Sequence, residues 1–100
     1  MHMMITWEIG GAAAADFQYW NDQLLAVIAP YPWARPLGTT YVVKIPAVET
    51  HTAIAHGLHD VAEKSADSVR VVMSPPINGG QYSGVVASPD MWTELNRLSA

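Results

Sequence analysis

The chain has 100 residues, half of them hydrophobic and 14 % charged, which is apolar material for one folded domain over residues 1–100 and too little length for a second core. Five basic against nine acidic residues give a formal charge of −4, which argues against a general nucleic-acid coat and against a binder of anionic membranes. The absence of cysteine excludes a disulfide framework, a thiolate nucleophile and cysteine-ligated zinc.

The opening Met1-His2-Met3-Met4 has no basic stretch followed by an apolar run, so no signal peptide is expected. The His2-Met3 pair reads equally well as a remnant of cloning ahead of a natural start at Met3 or Met4, and no functional role is expected of it. No apolar stretch approaches the ~20 residues of a bilayer-spanning helix. No membrane partner is therefore expected, and the cytoplasm is the default location.

Met3, Ile5, Trp7 and Ile9 alternate with Met4, Thr6 and Glu8, the period of a strand with one buried face, and Gly10-Gly11 ends it. From Asp16, a candidate N-cap, the period lengthens: Phe17, Trp20, Leu24 and Ile28 share one side of a helix that the alanines at 12–15 can extend backward. Pro30, Pro32 and Pro36 stop this helix and predict a stiff connector over 30–38. Residues 39–45, rich in β-branched and aromatic types, predict a second strand closed by Pro46. Helical spacing returns over 49–64, where Ile54, Leu58, Val61 and Ala62 share a face; Gly57 inside it weakens the helix by about 1 kcal/mol relative to alanine.

Residues 69–73 predict a third strand, Asn78-Gly79 a hairpin turn, and residues 81–87 the returning strand. Ser88-Pro89-Asp90 reads as an N-cap, a proline at the first helical position and an acid in the first turn of a last helix. Met91 or Trp92, Leu95 and Leu98 form its apolar stripe.

The predicted elements run β-α-β-α-β-β-α. A four-stranded antiparallel sheet with helices on one face, a ferredoxin-like α+β arrangement, satisfies these joins. Apolar residues fall on both faces of the predicted strands: Tyr41, Val43 and Ile45 against Val42, and Val69 and Val71 against Val72. The second face is therefore expected to be covered too, by a homodimer packing sheet to sheet or edge to edge.

Three groups of residues are candidates for chemistry. Glu8 lies near the carboxyl end of the first strand on the side away from Ile5 and Trp7; doubled by a dimer twofold, two such carboxylates can hold one divalent cation. The plainer role is an exposed or inter-subunit acid. His56, His59 and Glu63, at i, i+3 and i+7, fall on one polar helix face and offer two imidazoles and a carboxylate to zinc or nickel, although the same pattern is the solvated side of any amphipathic helix. His51 lies away from that face. Tyr31, Trp33 and Arg35 interleave aromatic and cationic side chains with prolines, a composition that suits a lid on the core, an interface contact, or stacking on a base or ring. Gly79-Gly80 lacks the lysine and following helix of a phosphate loop, and Ser83 and Ser88 stand in no nucleophile elbow.

Met4-Ile5-Thr6-Trp7-Glu8-Ile9, followed by a helix and then Thr39-Thr40-Tyr41-Val42-Val43, resembles the small ferredoxin-like superfamily that includes the CRISPR spacer-acquisition adaptor and the virulence-associated D toxins. Members open with an apolar strand ending in an aromatic–acid–aliphatic triplet, here Trp7-Glu8-Ile9, and the likeness covers roughly residues 3–75. The resemblance implies a ferredoxin-like fold, a homodimer, and metal-dependent phosphodiester hydrolysis with Glu8 of each subunit on a magnesium or manganese ion. Two features depart from the pattern. The family's acid is an aspartate, one methylene shorter than Glu8, and its nucleases hold nucleic acid on basic surface. Here Arg35, Lys44 and Arg70 are the only basic residues outside the two later helices.

Three functional readings follow. The first is a metal-dependent nuclease related to this group. The second is a catalytically inactive interaction module, whose dimer and Trp33 loop meet a protein partner in a toxin–antitoxin or regulatory assembly. The third, by fold analogy alone, is a small-ligand sensor at a dimer seam.

Overall fold

The alternation at the start of the chain forms β1 (His2–Ile9), the strand around which the sheet is built. It pairs antiparallel with β3 (Thr40–Lys44) on one side, Ile5 opposite Tyr41, and with β4 (Val69–Met73) on the other, Glu8 opposite Arg70. A further strand, β2 (Trp33–Leu37), turns back through Gly38-Thr39 onto β3, giving the order β2-β3-β1-β4 with every neighbouring pair antiparallel. Among the described residues three helices complete this α+β fold: α1 (Ala14–Ile28), α2 (Val48–Lys64) and α3 (Pro89–Ser99). The computed structural model describes residues 1–10, 14–80, 82 and 89–99.

The two faces of the sheet have separate apolar contacts because successive strand residues point to opposite sides. Met3, Ile5 and Trp7 of β1, Tyr41 and Val43 of β3, Ile45 and Val69 pack against Leu24 and Ile28 of α1 and Ile54 and Leu58 of α2. Trp7 stacks on Tyr41 with ring centroids 4.2 Å apart, and its indole N–H donates to Asn21 Oδ1 at 3.2 Å, which ties α1 to the middle of the sheet. On the other face Ala34 and Val42 pack against Leu95 and Leu98 of α3.

This second cluster corrects the expectation of helices on one face. The apolar side of β3 that pointed to a covering subunit is met by the chain's own last helix. Leu95 and Leu98 of the expected stripe are buried, while the expected cap Ser88 lies outside the described residues; an amphipathic stripe says only that a helix is covered, not by which surface.

The connector expected over 30–38 is also corrected, since its second half is β2. Pro36 is compatible with a strand here for two reasons: β2 is an edge strand, and its register with β3 shifts between Ala34 and Leu37, where an irregularity leaves ladder positions unpaired. The element order over residues 2–73 is thus β-α-β-β-α-β. The strand expected over 81–87 lies outside the described residues, apart from Tyr82. The hairpin expected at Asn78-Gly79 needs that returning strand and so also lies outside the described residues; just before it, His2 and Ile77 exchange backbone hydrogen bonds at 2.9 and 2.8 Å.

Two smaller differences concern single residues. Phe17, expected on the buried side of α1, is 47 % exposed, while Leu24 and Ile28 further along the same stripe are buried. His2, set aside as a possible remnant, belongs to β1, where it is buried and packs edge-on against Tyr82 with ring centroids 5.4 Å apart. After α2 the chain reverses through Ala66 and Asp67, both at positive φ (52° and 70°). Ser65 holds this turn by donating to Ala62 O at 2.6 Å and accepting from Val69 N at 3.0 Å.

Candidate functional site

The period of two that buries Trp7 places Thr6 and Glu8 on the opposite face, next to the part of the sheet that α3 leaves open. Antiparallel pairing sets Arg70 of β4 across from Glu8 and Val72 across from Thr6. The β2–β3 turn closes the third side. Thr39 O accepts from Trp7 N at 3.1 Å and from Thr6 Oγ1 at 3.0 Å, which fixes the turn against β1 beside Glu8. The result is an open groove of about 310 Å³ lined by Thr6, Trp7, Glu8, Thr39, Arg70 and Val72. It continues along the face into a second hollow of about 320 Å³ that shares Thr6 and Val72 and reaches Ser74.

Glu8 and Arg70 are both exposed in this groove, and no ion pair joins them. The electrostatic character is mixed, one carboxylate and one guanidinium on neighbouring strands, with threonine oxygens between them and the turn. The oxygen donors are of the hard type that magnesium and manganese take, and a single protein carboxylate suffices for magnesium when water and a phosphate supply the remaining ligands. The groove therefore offers such an ion one anionic ligand, Glu8, whereas the three donors that come within reach of one another among the described residues lie on α2.

The helix candidate is rearranged. His59, Asp60 and Glu63, all exposed, bring one ligand atom each within 4.8 Å of one another, with His59 Nδ1 3.9 Å from Glu63 Oε1. His56 is exposed and outside this group, so the neighbour that joins His59 and Glu63 is Asp60. Asp60 follows His59 directly in sequence, a neighbour that the i, i+3 and i+7 spacing does not single out. His51 is occupied elsewhere, its Nε2 2.8 Å from Ser74 O, which ties the start of α2 to the end of β4.

Tyr31, Trp33 and Arg35 do not converge. Tyr31 is half-buried against the main core; Trp33 stands edge-on to Tyr41 at 5.6 Å with 40 % of its surface exposed; Arg35 points to solvent. Trp33 thus caps the sheet's β2 edge, and nothing brings the guanidinium to it to form a ring-and-phosphate clamp.

Sequence reasoning missed Arg70, Thr6 and Thr39 as companions of Glu8. The signal for Thr6 was available, since it shares the face of Glu8 at i−2. Arg70 and Thr39 are brought there by strand pairing and a turn far away in sequence.

No protein-family model, curated protein or solved structure matches the chain.

Proposed function

We propose that this chain is a ferredoxin-like relative of the CRISPR-adaptor and toxin group that acts, as a homodimer, as a metal-dependent phosphodiesterase. The strand order read from the β4 edge is 4-1-3-2 and the connections over residues 2–73 run β-α-β-β-α-β, which supports the split β-α-β reading. The observation that carries the functional part is Glu8, the acid of the Trp7-Glu8-Ile9 triplet, standing exposed in an open groove beside Arg70.

In this reading Glu8 holds a magnesium or manganese ion, alone or with the same residue of a second subunit. Such an ion supplies Lewis-acid stabilisation of the charge that develops on a phosphoryl oxygen. The chain's own contribution is position. Thr6 and Thr39 are fixed by their shared hydrogen bond, Trp7 is anchored by Asn21 and Tyr41, and Glu8 between these points leaves the sheet from a rigid strand rather than a loop.

The test is cleavage of single-stranded RNA, single-stranded DNA and duplex DNA in magnesium or manganese at low salt, beside Glu8→Gln, with sedimentation of both proteins. Metal-dependent cleavage that disappears in a folded Glu8→Gln variant is the expected result; cleavage that the variant retains refutes the assignment.

A second reading has its own support. Phe17 and Tyr19 of α1 are 47 % and 54 % exposed, and Leu37 at the β2 edge is 58 % exposed. Large apolar side chains of this kind suit a protein-binding module without catalysis. Wild-type protein that cleaves none of the three substrates leaves this reading in place.

A further inference from the structure

His59, Asp60 and Glu63 are exposed on α2, whereas Ile54 and Leu58 of the same helix are buried in the main core. The helix is therefore seated by one side while the other presents donors to solvent. One ligand atom from each of the three lies within 4.8 Å of the others. Ligand atoms on one tetrahedral ion stand about 3.3 Å apart for bonds of about 2.0–2.1 Å, so the side chains need close by at most about 1.5 Å. Helix geometry explains why His56 stays outside. From His59 to Glu63 the helix rises about 6 Å, whereas from His56 to Glu63 it rises about 10.5 Å, more than a turn too far for one ion to gather easily.

The two carboxylates have no other strong cation. Lys64 stands four residues after Asp60, a usual partner position on a helix, yet no lysine or arginine pairs with Asp60 or Glu63 among the described residues. Their neighbour is the imidazole of His59, whose Nδ1 is 3.9 Å from Glu63 Oε1. Two acids on one helix face repel each other, and a bound cation removes that repulsion.

The imidazole sets the class of ion. Carboxylates alone form a hard oxygen site, of the kind that magnesium takes while keeping much of its water. A nitrogen donor beside two carboxylates suits zinc, for which three protein ligands and a water complete a tetrahedron.

We propose that His59, Asp60 and Glu63 form a zinc site on the outer side of α2. This helix packs on the face of the sheet that carries Met3, Ile5 and Trp7, and Thr6 and Glu8 lie on the other face. The zinc is therefore separate from any ion in the Glu8 groove, and the proposal does not rest on the phosphodiesterase reading. Bound there, it ties His59 to Glu63 across one turn and stabilises the folded chain, in which alone the three donors are held together.

The experiment is a zinc titration of the folded protein against a fluorescent zinc indicator, with magnesium in excess throughout. Wild type is compared with His59→Ala, Asp60→Asn, Glu63→Gln, His56→Ala and Glu8→Gln, all at exposed positions, with circular dichroism to check each fold. About one zinc per chain is expected, with Tm rising as zinc is added. His59→Ala should weaken binding about tenfold or more, and Asp60→Asn and Glu63→Gln should each weaken it as well. His56→Ala and Glu8→Gln should leave it unchanged. No zinc uptake by the wild-type protein, or uptake that His59→Ala retains in full, overturns the site. Binding lost in His56→Ala and kept in Asp60→Asn overturns the donor set in favour of the histidine spacing. Binding lost in Glu8→Gln moves the ion to the groove and overturns the proposal outright.

Discussion

Gly57 gives the most direct test of how α1 and α2 pack. On helix propensity alone, replacing this glycine with alanine inside α2 should stabilise the protein by about 1 kcal/mol. The structure reverses the sign. A methyl carbon at residue 57 would lie 2.9 Å from Val27 Cγ1 and 3.4 Å from Val27 Cγ2, against an optimum of roughly 3.5–4.0 Å between carbon atoms. Val27 cannot easily yield, because a β-branched side chain in a helix has one strongly preferred rotamer. Either α1 and α2 separate or Val27 leaves that rotamer, and forced overpacking of this kind costs about 1–3 kcal/mol. Set against the propensity gain, Gly57→Ala is expected to lower stability by about 1 kcal/mol, a fall in Tm of roughly 4–8 °C for a domain of this size. The assay is urea unfolding followed by circular dichroism, read as a lower midpoint at unchanged slope. Val27→Ala opens the space, so the double variant should be more stable than the sum of the single changes by about 1–2 kcal/mol. A Gly57→Ala protein more stable than wild type, or changes that add to within about 0.5 kcal/mol, would refute the close-contact argument.

Leu98→Ala removes a fully buried side chain from the contact between α3 and the β2–β3 side of the sheet, at an expected cost of about 2–5 kcal/mol. Hydrogen exchange should quicken most in α3 while α1 and α2 keep their protection relative to one another; a uniform rise throughout would show that the two faces do not act as separate clusters. His2 makes stability depend on pH. Desolvation, with a smaller contribution from the nearby N-terminal amine, lowers its pKa below the ordinary 6.5, and its Nδ1 has no hydrogen-bond partner. Between 6.5 and the lowered value the unfolded chain binds the extra proton and the folded one does not. The protein should therefore hold its stability above pH 6.5 and lose part of it as the pH falls through that window. Comparing melting temperatures with His2→Gln isolates this component, and equal pH dependence in the two proteins would contradict it.

Gly57 also shows what the sequence can and cannot carry. Its propensity cost was legible, but the reason a glycine is there is a neighbour on another helix. The same division holds for the fold. The strands at residues 2–9, 40–44 and 69–73 were readable because alternation and β-branched residues act locally, and α2 and α3 because apolar spacing does. β2 was hidden by its prolines: Pro36 argues against a strand unless the strand is known to be at an edge with an irregular register, and both facts are tertiary. The face that α3 covers and the exposure of Phe17 failed for one reason. A periodic stripe gives a direction on a helix, and burial depends on what lies opposite.

For the candidate site, Glu8 could be picked out because a charged residue in an alternating strand is assigned to the outer face by period alone. Its relation to Arg70 could not, since a one-residue slip of β4 would send Arg70 to the other side of the sheet. Charge makes the same point at another scale. A net −4 is a property of the whole chain and governs its long-range behaviour toward polyanions. Over the length of a groove the sum is different: one carboxylate stands opposite one guanidinium. Weak overall attraction to nucleic acid is therefore compatible with local capture of a phosphate. On the phosphodiesterase reading, the substrate would be selected by contact at the groove rather than by steering, so cleavage should slow only gently as salt rises.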